Sequence, residues 1–273
     1  MELTHMSLCT GIGGIELAAE WAGFKTIAQC EIDEYASKVL AKNFKGAPNL
    51  HDIRTVTNER LAELGIDRKT ITVLSAGFPC QPYSLAGKGL GNRDERDLWG
   101  EVARVIGEIR PRWFVGENTP GLFGRANQRY FKRILTDLAA LGYSVGWGIW
   151  GACDVGAPHR RDRVFIVAYA DGKRGVGLYK NKQERCSNMC LQATSSERAW
   201  EDIGAHEEIS RIFCILRDIP APYMRIARDD YGLSEGVHRL RCLGNAVVPQ
   251  QIYPVFQAIV KFERGRNLCA KRQ

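Results

Sequence analysis

The sequence predicts an α/β domain, a mainly parallel sheet layered with helices. Three observations predict it. Short apolar runs alternate with helix-periodic segments from Met6 to about Ala170. The runs end in glycine turns or in acidic residues, as strand ends do when a crevice lies beyond them. The chain has 273 residues, 45% hydrophobic and 25% charged, enough for one large domain or one domain with a small insert.

The elements follow in order. Met6–Cys9 is a short strand that runs into Thr10-Gly11-Ile12-Gly13-Gly14, and Ile15 to Ala22 has apolar residues at helical spacing, closed by Gly23. Lys25 to Gln29 reads as a strand and Asp33 to Asn43 as a helix. Ile71 to Ala76 is a third strand, Leu98 to Ile109 a helix stopped by Pro111, and Arg112 to Gly116 a strand leading into Glu117-Asn118. Tyr130 to Leu141 is a helix, Val145 to Trp150 alternates, and Arg163 to Ala168 is a buried strand. Residues 171–236 are polar and irregular, with about ten charges of each sign, the pattern of an inserted small domain or long loops. Order returns with Gly244–Pro249 and an amphipathic helix carrying Ile252, Val255, Phe256, Ile259 and Val260. The last dozen residues are rich in basic side chains and are expected to fray.

Composition excludes several classes. Nine cysteines without repeated C-x-x-C spacing or clustered histidines exclude a zinc ribbon and a disulfide framework, and no metal is expected. Free thiols and the absence of a signal peptide suit a reducing, cytoplasmic compartment. No apolar stretch approaches the ~20 residues that span a bilayer, so no membrane partner is expected. A formal net charge of +7 is compatible with a polyanionic partner.

Chemistry concentrates in a few segments. In Gly77-Phe78-Pro79-Cys80-Gln81-Pro82 a cysteine sits between two prolines just past a strand; the rings stiffen the loop and fix the thiol, as a nucleophile requires. The turn Gly11–Gly14 opens a helix, and its glycines allow close backbone approach to a ligand. It lacks the G-x-G-x-x-G spacing of a dinucleotide turn. Glu31, past the second strand, stands where an acid grips ribose hydroxyls. A glycine turn and a ribose carboxylate with no phosphate-binding lysine suit a nucleoside cofactor without phosphate, such as S-adenosylmethionine. Asp52 can meet the adenine amino group or cap a turn.

Taken in order, Gly11-Ile12-Gly13-Gly14, Glu31, Asp52-Ile53, Gly77–Pro82, Glu117-Asn118, Arg161-Asp162-Arg163 and Gly244-Asn245-Ala246-Val247 make the chain resemble the DNA (cytosine-5)-methyltransferases, bacterial and bacteriophage members above all. The resemblance covers nearly all of the chain except the polar insert. It implies a Rossmann-like S-adenosylmethionine-dependent methyltransferase sheet with helices on both faces, formed by residues 1–170 and 239–273, with 171–238 as a small target-recognition region. It implies catalytic roles for Cys80 as nucleophile toward cytosine C6, Glu117 at N3, Arg163 at O2 and Arg161 beside the cysteine loop. Asn118 would support that loop. The cofactor would meet Cys9, Gly11, Ile12, Gly13, Gly14, Glu31, Ile32, Asp52, Ile53, Pro79, Asn245 and Ala246.

The implied partners are double-stranded DNA, with the target base flipped out of the stack, and a cognate restriction endonuclease; the implied state is a monomer. Basic residues in Tyr83–Arg96 (Lys88, Arg93, Arg96) would contact phosphates. Two positions depart from the family pattern: Cys9 replaces an aromatic that packs on the adenine, which implies weaker cofactor affinity, and His159 replaces a common Gln. Two other functions remain open at this point. A tRNA cytosine-5 methyltransferase would be separated by its nucleic-acid substrate, and a DNA-binding protein without turnover by failure to trap 5-fluorocytosine DNA. Methylation of amino groups is disfavoured because no D/N-P-P-Y/F tetrapeptide occurs.

Overall fold

Among the described residues six strands form one sheet in the order β2-β1-β3-β4-β6-β5. They are β1 (Thr4–Leu8), β2 (Lys25–Ala28), β3 (Val73–Ala76), β4 (Trp113–Asn118), β5 (Tyr143–Trp150) and β6 (Arg163–Ala170). The helices are α1 (Gly14–Trp21), α2 (Glu34–Asn43), α3 (Asn58–Glu63), α4 (Trp99–Ile109), α5 (Gln128–Ala140) and α6 (Pro249–Ala270). These come from a computed structural model that describes residues 2–79, 97–170, 242 and 244–270.

Alternation along the strands explains the layers. Successive side chains point to opposite faces. Leu74, Phe114, Val164, Ile166 and Ala168 enter one core with α4, α5 and Leu61 of α3. Val73, Trp113, Val115, Phe165, Val167 and Tyr169 enter the other, with Ile15, Ala18 and Ala19 of α1 and Ile252, Phe256 and Ile259 of α6. Covering both faces leaves the strands with continuous apolar runs. His5 of β1 is fully buried in the sheet, its ring nitrogens facing the hydroxyls of Thr26 (3.3 Å) and Ser75 (2.8 Å). Burial drops its pKa to about 3, so the ring is neutral.

Pairing is parallel for β1–β2, β1–β3 and β3–β4 and antiparallel for β4–β6 and β5–β6. The sheet is therefore mainly parallel, with an antiparallel edge. Three sequence expectations need correction. The strand expected to stop at Gly116 continues through Glu117 and Asn118, because β6 supplies partners Phe165 and Val164 to these polar residues. The helix expected to fray after Lys261 runs to Ala270. Glu263 is buried there and accepts hydrogen bonds from Trp113 Nε1 (2.9 Å) and the Arg112 guanidinium, a tertiary anchor that charge content does not reveal. The short α3 was not foreseen; Thr57 caps it by accepting from Arg60 N (3.2 Å).

Candidate active site

Parallel strands point their carboxyl ends the same way. The chain leaves β1 for β2 on one side and returns to β3 on the other. In open α/β sheets, ligands sit in the crevice where that order reverses. The glycine turn after β1, Glu31 after β2 and Gly77–Pro79 after β3 all border it. Glu117 and Asn118 end β4 on the same side. Because β6 runs antiparallel, it is its first residue, Arg163, that lies at this edge.

On the glycine side the backbone turns through left-handed geometry at Cys9 (φ 51°), Gly11 (φ 61°) and Gly13 (φ 93°). The glycines differ in what surrounds them. A Cβ on Gly13 would meet the Phe44 ring at 2.3 Å, and one on Gly14 the Val247 carbonyl oxygen at 2.3 Å, whereas one on Gly11 would meet none of the described residues within 4 Å. Packing thus explains two of the glycines, and Gly11 borders open space that a ligand can enter. Glu31 Oε2 accepts from Gly11 N (2.7 Å) and Oε1 from Asp33 N (2.8 Å), which fixes the carboxylate at the rim of the turn. Beside it Ile32 is 67% exposed, an apolar face without cover from the described residues. Asp52 accepts from Arg54 N (2.9 Å) and pairs with the Arg54 guanidinium at 3.6 Å, so it does cap the 3-10 turn Ile53–Thr55. Ile53 is buried in the core behind it. Cys9 is half-buried, and burial with the nearby Glu31 charge pushes its thiol up to about 12. Asn245 is exposed and Ala246 half-buried; Val247 docks the segment against Gly14.

On the other side stands Glu117, 7% exposed. Arg163 Nε lies 2.9 Å from its Oε1. Burial pushes the Glu117 carboxyl up to about 7, against the opposing charges of Arg163 and Arg161 and the Arg163 hydrogen bond. A Cβ on Gly77 would lie 3.6 Å from Glu117 Oε2 and 3.4 Å from Cys9 O, so the strand ends of β1, β3 and β4 converge on this carboxyl. Asn118 Nδ2 donates to Phe78 O (3.0 Å) and Phe78 packs on Trp99, fixing the chain that leads through half-buried Pro79 toward residue 80. Cys80 itself, the Tyr83–Arg96 loop and residues 171–238 lie outside the described residues. Arg161 Nη2 donates to the carbonyls of Gly244 (2.8 Å) and Ala246. His159 is exposed.

Sequence reasoning missed three residues here. Glu16, in the first turn of α1, is fully buried, and among the described residues neither carboxylate oxygen meets a donor in full hydrogen-bond geometry. Burial pushes it up to about 7, with the neighbouring Ser7 and Thr10 hydroxyls opposing and Glu31 adding. An acid in a first helical turn reads as ordinary, so no signal could have found it. Gln251 donates to Trp150 O and Arg161 O, both at 2.9 Å. Asp97, where the described chain resumes, accepts from Tyr130 Oη (3.0 Å) and Arg133 Nη1 (3.1 Å). Among the described residues no cluster of three or more His, Cys, Asp or Glu side chains converges as a metal site, and no helix is long and apolar enough to cross a membrane.

Comparison with known proteins agrees with this geometry. The family model "C-5 cytosine-specific DNA methylase" matches residues 3–212. The type II methyltransferase M.HaeII of Haemophilus aegyptius is 36% identical over 229 residues, covering 81% of this chain and 67% of that protein. M.NgoBI of Neisseria gonorrhoeae is 37% identical over 170 residues, 61% of this chain, and the chain spans 50% of that protein's length. A crystal structure of a DNA modification methyltransferase encoded within an E. coli prophage superposes with TM-score 0.54 at 25% identity, over 63% of this chain and 47% of that one. The Spodoptera frugiperda DNMT2 mutant shares the fold at TM-score 0.59 and 15% identity, over 95% of this chain and 100% of that one. The chain belongs to the C-5 cytosine-specific DNA methylase family.

Proposed function

We propose that this chain transfers a methyl group from S-adenosylmethionine to C5 of cytosine in duplex DNA, through a covalent bond between Cys80 and C6 of a base swung out of the helix. The observation that carries the reading is the Glu117–Arg163 pair, held at 2.9 Å beside the strand end that leads into Cys80.

The crevice fits the cofactor. Gly11 leaves open space, Glu31 is fixed at its rim, and Ile32 offers an apolar face suited to an adenine ring. Asn245 and Ala246 would close the opposite wall. When bound, S-adenosylmethionine supplies an electrophilic methyl group and leaves as the neutral thioether.

The residues of the chain supply the rest. Cys80 Sγ, as thiolate, adds to C6, and the electron pair of the C5–C6 double bond moves toward C5 and N3. Glu117, raised to about 7, is poised near neutrality to give a proton to N3 and relieve that charge. The Arg163 guanidinium is fixed by Glu117 and by donation to Asp162 O (2.8 Å), and from there it would donate to the pyrimidine O2. Once C5 carries the methyl, a water-borne base removes the C5 proton. The double bond re-forms, Sγ is expelled and N3 returns its proton to Glu117. Extrusion of the base costs a few kcal/mol, which contacts to the phosphates must offset. Residues 171–238 would read the target sequence, with an endonuclease of the same specificity as a further partner of a monomeric enzyme.

Duplex DNA containing 5-fluorocytosine tests the scheme, because fluorine at C5 blocks elimination. Incubation with S-adenosylmethionine should give a denaturation-resistant adduct with the wild-type chain and none with Cys80→Ala. A folded wild-type chain that forms no adduct would sink the proposal. Methyl transfer to tRNA but not to duplex DNA would move it to the RNA-acting branch.

A further inference from the structure

Arg161 and Gln251 hold each other's segments. Arg161 Nη2 donates to the backbone carbonyls of Gly244 and Ala246, just ahead of α6. Gln251, in the first turn of α6, returns the bond: its Nε2 donates to Arg161 O and Trp150 O, each at 2.9 Å. Gln251 is 2% exposed, so these carbonyls have little access to water as a substitute. Arg161 sits at φ 35°, a left-handed conformation that costs a residue with a Cβ about 1–2 kcal/mol and persists only where the surroundings impose it.

The two segments that meet here serve different halves of the crevice. The 244–247 segment presses the Val247 carbonyl against Gly14, in the glycine turn. Arg161 lies two residues ahead of Arg163, which pairs with Glu117, and its own charge also acts on Glu117. We propose that Gln251 is a positioning residue which, through Arg161, couples the cofactor wall at Gly244–Ala246 to the Glu117–Arg163 pair. The proposal rests on the function proposed above. Without the amide, two carbonyls each lose one donor, the backbone at Arg161 relaxes from its strained conformation, and the guanidinium loses its aim at Gly244 and Ala246. Cofactor affinity and the attack on the base should then fall together, although Gln251 touches neither reactant.

The test uses the full chain and the variant Gln251→Met, which keeps length and loses the donors. Titration calorimetry should show S-adenosylmethionine binding about tenfold more weakly, with slower trapping of 5-fluorocytosine DNA at saturating cofactor. In an Arg161→Ala background the same change should alter the dissociation constant less than about twofold, because the path is already cut. An unchanged constant in Gln251→Met, or full additivity in the double variant, overturns the proposal and leaves Gln251 an anchor of α6 only. If Gln251→Met does not fold, Arg161→Lys decides: a lysine keeps the charge but not the guanidinium geometry, and unchanged cofactor affinity overturns the coupling. A wild-type chain that binds no S-adenosylmethionine removes both this proposal and the function beneath it; a wild-type chain that binds, with variants that bind equally, removes only this one.

Discussion

Glu117 is pulled two ways. Burial favours its protonated form, and two arginines favour the charged one; the carboxyl settles at about 7. As the acid that meets N3, it is competent below that value and loses its proton above it. We expect kcat/KM to decline on the alkaline side above about pH 7, and Glu117→Gln to cost about two orders of magnitude or more in turnover and to erase that alkaline limb. A pH–rate series with both proteins checks this; an alkaline limb that survives in the variant would assign it to another group. At this scale the sequence was informative about identity. It pointed to Glu117, Arg163 and Glu31 from their order along the chain, and each lies at the crevice. It gave no hint of Glu16 or Gln251, since their importance lies in burial without, or with, a hydrogen-bond partner, and residue type does not encode that.

Elements decide what each glycine is for. A methyl group at Gly14 would collide with the Val247 backbone oxygen, so α1 and the segment before α6 would have to part. We expect Gly14→Ala to destabilise the protein by about 1–3 kcal/mol, read by denaturant unfolding. Gly11→Ala meets no atom of the described residues within 4 Å and bears the strain of φ 61°, about 1–2 kcal/mol. Its larger effect should be on S-adenosylmethionine affinity, because the added methyl projects into the open crevice. Equal effects of the two changes on stability and on cofactor binding would contradict this division. Most strands and helices were legible from periodicity, with ends moved by one or two residues. The exceptions share a cause: Glu117 and Asn118 joined β4, and 262–270 joined α6, because partners distant in sequence took up polar groups that look solvent-seeking in isolation.

For the whole molecule, buried ionisable groups set the response to pH. Glu16 has a folded pKa of about 7, above its ordinary 4.5. Its contribution is complete below the unfolded value and is lost as pH rises through the folded one, a change on the order of 3 kcal/mol. His5 acts in the opposite sense, because its folded value of about 3 lies below its ordinary 6.5; it favours the fold above 6.5 and opposes it on acidification. We expect Glu16→Gln to lose less of its unfolding temperature than the wild-type chain between pH 5 and pH 8. Parallel losses in the two proteins would show that Glu16 has an ionised partner.

The sequence by itself determined the α/β class and the family resemblance, because periodicity and motif order are written along the chain. Tertiary structure alone decided that β6 runs antiparallel and so brings Arg163 to Glu117, that Arg161 binds the Gly244–Ala246 segment, and that Glu16 is fully buried. Strand direction, burial and long-range hydrogen bonds arise from pairings between segments up to 151 residues apart, and no local pattern specifies them.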